Sequence, residues 1–109
     1  MTTLAGIFLI AHGLVHLAVW LPRPAADAPF DPGRSWLIGE AGSLTRPLAL
    51  VACGILVLSG LLLLPGTWAG AALAVTGASV SLALVLLTFN RWLTVAVAID
   101  VAIVLVVLA

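Results

Sequence analysis

Charged residues are scarce in this chain: they make up 7% of its 109 positions, and neither lysine nor tyrosine occurs. Because an ordinary soluble domain carries about 25% charged residues, the composition excludes a soluble fold. The formal net charge is zero and no basic patch is present, which excludes nucleic acid as a partner. The single cysteine, Cys53, excludes an internal disulfide and a CxxC redox pair. Hydrophobic residues make up 64% of the whole chain, so the expected surroundings are a lipid bilayer.

Four apolar stretches are long enough to cross a membrane as helices. They cover about residues 4–21, 46–64, 68–89 and 92–109. A long polar loop, residues 22–45, holds most of the prolines, whereas residues 65–67 and 90–91 form short turns. The sequence therefore predicts an all-α fold with one domain, residues 1–109, arranged as a membrane-spanning antiparallel four-helix bundle.

The cations predict the orientation of this bundle. With four spans, all four cations lie on the side opposite to the termini: Arg23, Arg34, Arg46 and Arg91. Because the positive-inside rule counts cations, loops 22–45 and 90–91 are expected in the cytoplasm and both termini outside a bacterial inner membrane.

Tryptophans at the ends of the spans predict where the membrane interfaces lie. Trp20 and Trp92 are expected at the cytoplasmic interface and Trp68 at the opposite one. Trp36 is expected to anchor the long polar loop at the level of the lipid headgroups.

Two histidines, His12 and His16, occupy the middle of the first span. A rotation of about 100° per residue places both on one arc of the helix. That arc also carries Ala5, Gly6, Leu9, Gly13 and Trp20. Ionisable groups at this depth usually face the bundle interior and mark function, so both imidazoles are expected to point at a partner helix.

Asp100 lies near the middle of the fourth span, at the depth expected for His12. A carboxylate at the bilayer centre costs about 2.5–3.5 kcal/mol on insertion scales, and a partner or a proton must offset this cost. Cys53 is the only other ionisable group at that depth. We therefore expect Asp100 to face His12 or His16 across the first and fourth helices.

Three kinds of chemistry are open to this cluster. The His-x-x-x-His spacing suits a metal site, in which His12, His16 and Asp100 would be the ligands. The same groups could form a proton relay or a quinone site. The simplest interpretation is that they only hydrogen-bond the helices together and bind no cofactor.

Small residues form seams on all of the first three spans, where helices can approach closely. The residues expected in helix packing are Gly6, Gly13, Cys53, Gly60, Gly70, Ala74, Gly77 and Ser81. The hydroxyls of the second and third spans are expected to bond back to carbonyls of their own helices, and so to carry little functional signal. They belong to Ser59, Thr76, Ser79, Ser81 and Thr88.

The stretch from Gly6 to Leu17, with its His-Gly-x-x-His-Leu order, resembles the opening helix of DoxX-like membrane proteins. His16 stands where those proteins have a basic residue. Together with Arg46-Pro47-Leu48 at the second span, it also resembles a group of small, uncharacterised four-span bacterial membrane proteins. The resemblance implies a four-helix bundle in a membrane-associated redox or assembly complex, and it implies no catalytic residues.

Size and span number also match the small multidrug resistance transporters. The likeness is one of architecture only, because the first span here has no acid and the chain has no tyrosine.

No pattern assigns a catalytic residue, so the sequence does not indicate an enzyme. It favours a non-catalytic subunit or an accessory or assembly factor of a membrane complex. Such a protein would pack against a second copy or a partner through its glycine seams. The alternative is a ligand-, metal- or proton-handling bundle that uses His12, His16 and Asp100.

Overall fold

The computed structural model describes residues 2–22, 27–28 and 30–109, apart from the side chain of Trp92. The helices are α1 (Thr2–Trp20), α2 (Gly42–Leu63), α3 (Trp68–Leu87) and α4 (Thr94–Leu108). Two short antiparallel strands, β1 (Arg34–Ser35) and β2 (Gly39–Glu40), form a hairpin before α2. The predicted all-α membrane bundle is confirmed.

Three of the helices are long and apolar enough to cross a membrane: α1, α2 and α3, with 19, 22 and 20 residues. The fourth, α4, has 15 residues and covers only about 22 Å of a hydrocarbon core of about 30 Å. A 3-10 turn, Arg91–Leu93, leads directly into α4 and adds about 6 Å. The predicted fourth span, residues 92–109, thus corresponds to a 3-10 turn followed by a short α-helix.

The second helix begins one turn earlier than the sequence predicts, at Gly42 instead of Arg46. The hairpin sets this start: the Ala41 amide donates to the Gly33 carbonyl, and the Thr45 amide donates to the Ala41 carbonyl. Pro47 therefore lies inside the helix and not in its first turn. The helical bond that Pro47 cannot make lies at the exposed loop end, where water can solvate the unpaired carbonyl.

The helices pack in chain order, α1 on α2, α2 on α3 and α3 on α4. At the α1–α2 crossing the backbones nearly touch, because a Cβ placed on Gly60 would lie 2.5 Å from the Gly6 carbonyl oxygen. At the α2–α3 crossing, a Cβ on Gly70 would lie 3.0 Å from the Ser59 carbonyl oxygen. All eight residues expected in helix packing are buried, and the glycines among them face helices of this same chain.

Helices α1 and α4 close the bundle without extensive backbone contact. In the half of the bundle nearest the termini, an apolar cleft of about 300 Å³ lies between them. All ten of its lining residues are apolar, among them Phe8, Ile99 and Ile103.

Residues 30–41 of the polar loop fold over the opposite end of the bundle. Phe30 packs against Trp20 with 6.4 Å between the ring centroids, and the indole N–H of Trp36 donates to the Leu86 carbonyl at 2.7 Å. Trp20 is only 3% exposed, because Phe30 of the loop and side chains of the bundle interior cover it. Its place at the headgroup interface stays a prediction. Trp68 is 83% exposed, whereas Arg23 and the side chain of Trp92 lie outside the described residues.

Candidate functional site

Four side chains from three helices meet in the interior of the bundle: His12 and His16 of α1, Ser81 of α3 and Asp100 of α4. His16, Ser81 and Asp100 are each at most 2% exposed, and the side chain of His12 is 10% exposed. We refer to these four residues as the polar network. Its members are joined end to end by hydrogen bonds.

The first bond joins the opening and closing helices. His12 Nε2 lies 2.8 Å from Asp100 Oδ1, which is the contact expected between one of the histidines and Asp100. Because the backbones of α1 and α4 stay apart, the His12 and Asp100 side chains bridge the space between them.

His16 is held by both of its ring nitrogens. Nδ1 lies 2.9 Å from the His12 carbonyl oxygen one turn earlier, and Nε2 lies 2.7 Å from Ser81 Oγ. A carbonyl oxygen can only accept, so Nδ1 carries a hydrogen and donates it. The neutral form of His16 therefore has an Nε2 that accepts.

Ser81 connects the histidine to the carboxyl group, because its Oγ also lies 2.6 Å from Asp100 Oδ2. The expectation that this hydroxyl bonds back to its own helix is wrong. Three other hydroxyls do bond back as expected: Thr76, Ser79 and Thr88. Ser59 instead donates to the Gly70 carbonyl across the α2–α3 hairpin at 2.6 Å.

Counting protons shows what this arrangement can hold. Each of the four bonds needs one hydrogen: His12 to Asp100, Asp100 to Ser81, Ser81 to His16, and His16 to the His12 carbonyl. A carboxylate, one hydroxyl and two neutral imidazoles supply only three. The network is fully bonded only when it carries one additional proton, and it is then electrically neutral overall.

Two arrangements place that proton without changing any heavy-atom contact. In one, Asp100 is a neutral acid that donates to Ser81, and Ser81 donates to His16. In the other, Asp100 is a carboxylate that accepts from Ser81, and His16 is an imidazolium that donates to Ser81. The two differ by a concerted shift of two protons through the Ser81 hydroxyl.

Aromatic rings continue the network along one face of α1. Phe8, His12, His16 and Trp20 follow at intervals of four residues, with ring centroids 5.9, 5.2 and 5.3 Å apart. Phe8 is half-exposed, and its ring stacks on His12. Edge and face contacts between such rings add to the burial energy and limit the orientations that the imidazoles can adopt.

The same geometry bears on metal and quinone chemistry. The described residues contain no group of three His, Cys, Asp or Glu side chains arranged to hold a metal ion. Cys53 is a buried free cysteine, and its carbonyl oxygen would lie 3.1 Å from a Cβ placed on Gly13. A quinone in the apolar cleft would meet no polar side chain among the lining residues, so neither interpretation gains support from these contacts.

Ser81 is the member that the sequence analysis did not assign to the site. One signal pointed to it: a buried carboxyl group needs several hydrogen-bond donors, and Ser81 is a small donor on the inward face of α3. Comparison with protein-family models, with curated proteins and with solved structures finds no match for this chain.

Proposed function

We propose that the protein is a proton-binding membrane bundle, in which the polar network takes up and releases one proton inside the membrane. The proton count carries this proposal: four short hydrogen bonds need one proton more than the carboxylate, the hydroxyl and the two neutral imidazoles supply. The additional proton is held by His16, Ser81 and Asp100. His12 bonds to the carboxyl oxygen of Asp100 that Ser81 does not contact, Oδ1.

One additional proton completes the hydrogen bonds of this buried network. A net negative charge inside an apolar bundle is costly, and Asp100 is fully buried. Loss of the proton would also leave one short contact without its hydrogen, and an unpaired buried polar group costs about 1–3 kcal/mol. Uptake of one proton removes both penalties at once.

Proton release from purified protein tests the proposal. The protein in mild detergent is taken from neutral to alkaline pH, while a pH indicator counts the protons released and infrared and ¹⁵N-histidine spectra follow the carboxyl and imidazole groups. We expect one proton to leave together with either the protonated-carboxyl band of Asp100 or the imidazolium signal of His16. Asp100→Asn, which retains the shape of the side chain, should lose that step.

Asp27→Asn is the matched control, because it removes an exposed carboxylate of the loop and leaves the network intact. It should release the internal proton as the unsubstituted protein does. The proposal fails if Asp100→Asn releases the same proton, or if the folded protein has neither a protonated Asp100 nor a charged His16 at any pH.

The proposal follows the second of the two sequence-based hypotheses. A role as a non-catalytic subunit or assembly factor, a second copy as partner and membership of a DoxX-like family stay predictions. The glycine seams contact helices of the same chain, so a partner would have to use another surface. We also propose the bacterial inner membrane as the location, with the polar loop in the cytoplasm, on the positive-inside argument.

A further inference from the structure

Resting on the proposed function, we infer that the proton reaches the polar network from one side only. It enters at the loop end of the bundle, through a pocket whose inner wall is Trp20. Trp20 is the positioning residue that separates His16 from that pocket.

The pocket lies between the polar loop, the end of α1 and the start of α2, and has a volume of about 800 Å³. Asp31 and Glu40 of the loop and Ser43 and Arg46 of α2 line it together with Trp20. All four of these polar side chains are exposed, so the pocket is open to the aqueous side. Its carboxylates can accept and pass on protons.

Trp20 lies between this pocket and the network. Its ring stacks on His16 with the centroids 5.3 Å apart, and the residue is 3% exposed. Among the described residues its indole N–H has no hydrogen-bond acceptor. The nitrogen is itself shielded from solvent, so the indole closes the inner end of the pocket and separates it from His16.

The surroundings differ at the other end of the bundle. The cleft between α1 and α4 is lined by apolar residues only, and an apolar cavity of this kind stays dry. The depth of the network adds to the asymmetry. His16 is one turn, about 6 Å, from the loop end of α1, whereas His12 is about 15 Å from its first residue.

The titratable groups that act on His16 are His12 of α1 and Asp100 of α4, and α3 contributes the hydroxyl of Ser81. Arg46 of α2 and Asp31 and Glu40 of the loop line the pocket on the other side of Trp20. Asp100 exchanges the proton with His16, and the two loop carboxylates are the groups nearest to the aqueous side.

Trp20 itself can report on His16, since an imidazolium stacked on an indole quenches its fluorescence. The test uses a variant in which Trp20 is the only tryptophan: Trp36→Phe, Trp68→Phe and Trp92→Phe combined. A pH titration in detergent comes first. If the titration shows no proton-linked change in fluorescence or in the ¹⁵N-histidine spectra, the proposed function fails together with the inference.

The variant is then placed in sealed vesicles, where both orientations occur, and the external pH is changed rapidly. Trypsin cleavage after Arg34 measures the fraction with the loop facing outward. We expect the amplitude of the fast fluorescence phase to equal that fraction, and we expect the vesicles to hold a pH gradient as long as protein-free vesicles do. Three results would overturn the one-sided route and leave the proposed function standing. They are equal rates from both orientations, a fast phase from the fraction with the loop facing inward, and proton leakage through the vesicles.

Two substitutions of Trp20 test its role as the barrier, with proton uptake followed by a pH indicator. Trp20→Ala should speed uptake about tenfold or more, equivalent to about 1.4 kcal/mol in the barrier, whereas Trp20→Phe should retain most of the delay. Unchanged uptake in a folded Trp20→Ala would overturn the assignment. If Trp20→Ala does not fold, the vesicle experiment still decides the one-sided route. Proton uptake that is slower in Trp20→Phe than in the unsubstituted protein would contradict the role of Trp20 as the barrier.

Discussion

His12 and Asp100 are 88 positions apart in the chain, and their side chains meet at 2.8 Å between Nε2 and Oδ1. They belong to the opening and closing helices, whose backbones do not pack closely. The bond thus closes the bundle where apolar packing is thin. Polar contacts between membrane helices average about 0.6 kcal/mol and reach about 1.7 kcal/mol, so its main contribution is to fix which groups meet.

The stability of Asp100 variants should depend on whether the hydrogen bonds survive. In Asp100→Asn the amide oxygen can accept from His12, and the amide N–H can donate to Ser81, as the neutral acid does. We expect this variant to stay within about 1 kcal/mol of the unsubstituted protein, whereas Asp100→Ala should lose about 1–3 kcal/mol for each group left unpaired. Unfolding in mixed detergent measures both, and an equal loss in the two variants would contradict the bonding scheme.

Removal of the Ser81 hydroxyl should cut the network between Asp100 and His16. Ser81→Ala leaves Asp100 Oδ2 and His16 Nε2 buried without this partner, so we expect a loss of about 1–3 kcal/mol. Ser79→Ala is the control: that hydroxyl bonds to a carbonyl of its own helix and is exposed, and its loss should cost less than about 0.5 kcal/mol. Equal unfolding midpoints for the two variants would show that Ser81 is not a connecting residue.

The α1–α2 crossing should not tolerate a methyl group at Gly60. A Cβ there would lie 2.5 Å from the Gly6 carbonyl oxygen, so Gly60→Ala must push the helices apart at a cost of about 1–3 kcal/mol. Gly54 lies on the same helix with nothing within 4 Å of its Cβ position. Gly54→Ala should therefore stabilise by about 0.5–1 kcal/mol. Opposite signs in the two unfolding experiments are the expected result, and a shared sign would contradict the crossing geometry.

Trp36 should hold the polar loop on the end of the bundle through its bond to the Leu86 carbonyl. Trp36→Phe loses that bond, worth about 0.5–1.5 kcal/mol, so trypsin cleavage after Arg34 should become about 2- to 10-fold faster. Trp68→Phe alters an exposed tryptophan of the α2–α3 end and should leave the cleavage rate unchanged. If both variants are cleaved like the unsubstituted protein, the indole bond does not restrain the loop.

The sequence determined the membrane environment, the helical elements and the small-residue faces of the first three spans. Long apolar runs can satisfy their backbone groups in lipid only as helices, and small residues at helical spacing identify the faces that pack. A buried carboxyl needs partners, so Asp100 and a histidine could be expected to meet from composition and depth alone.

Only the tertiary structure decided which groups those partners are. Asp100 contacts His12, His16 uses both of its ring nitrogens, and Ser81 lies between Asp100 and His16. These contacts depend on how α1, α3 and α4 are rotated and staggered, which helical periodicity leaves open. The burial of Trp20 likewise depends on the loop folding back over it, because contacts between distant segments arise from packing in three dimensions and leave no periodic trace in the chain.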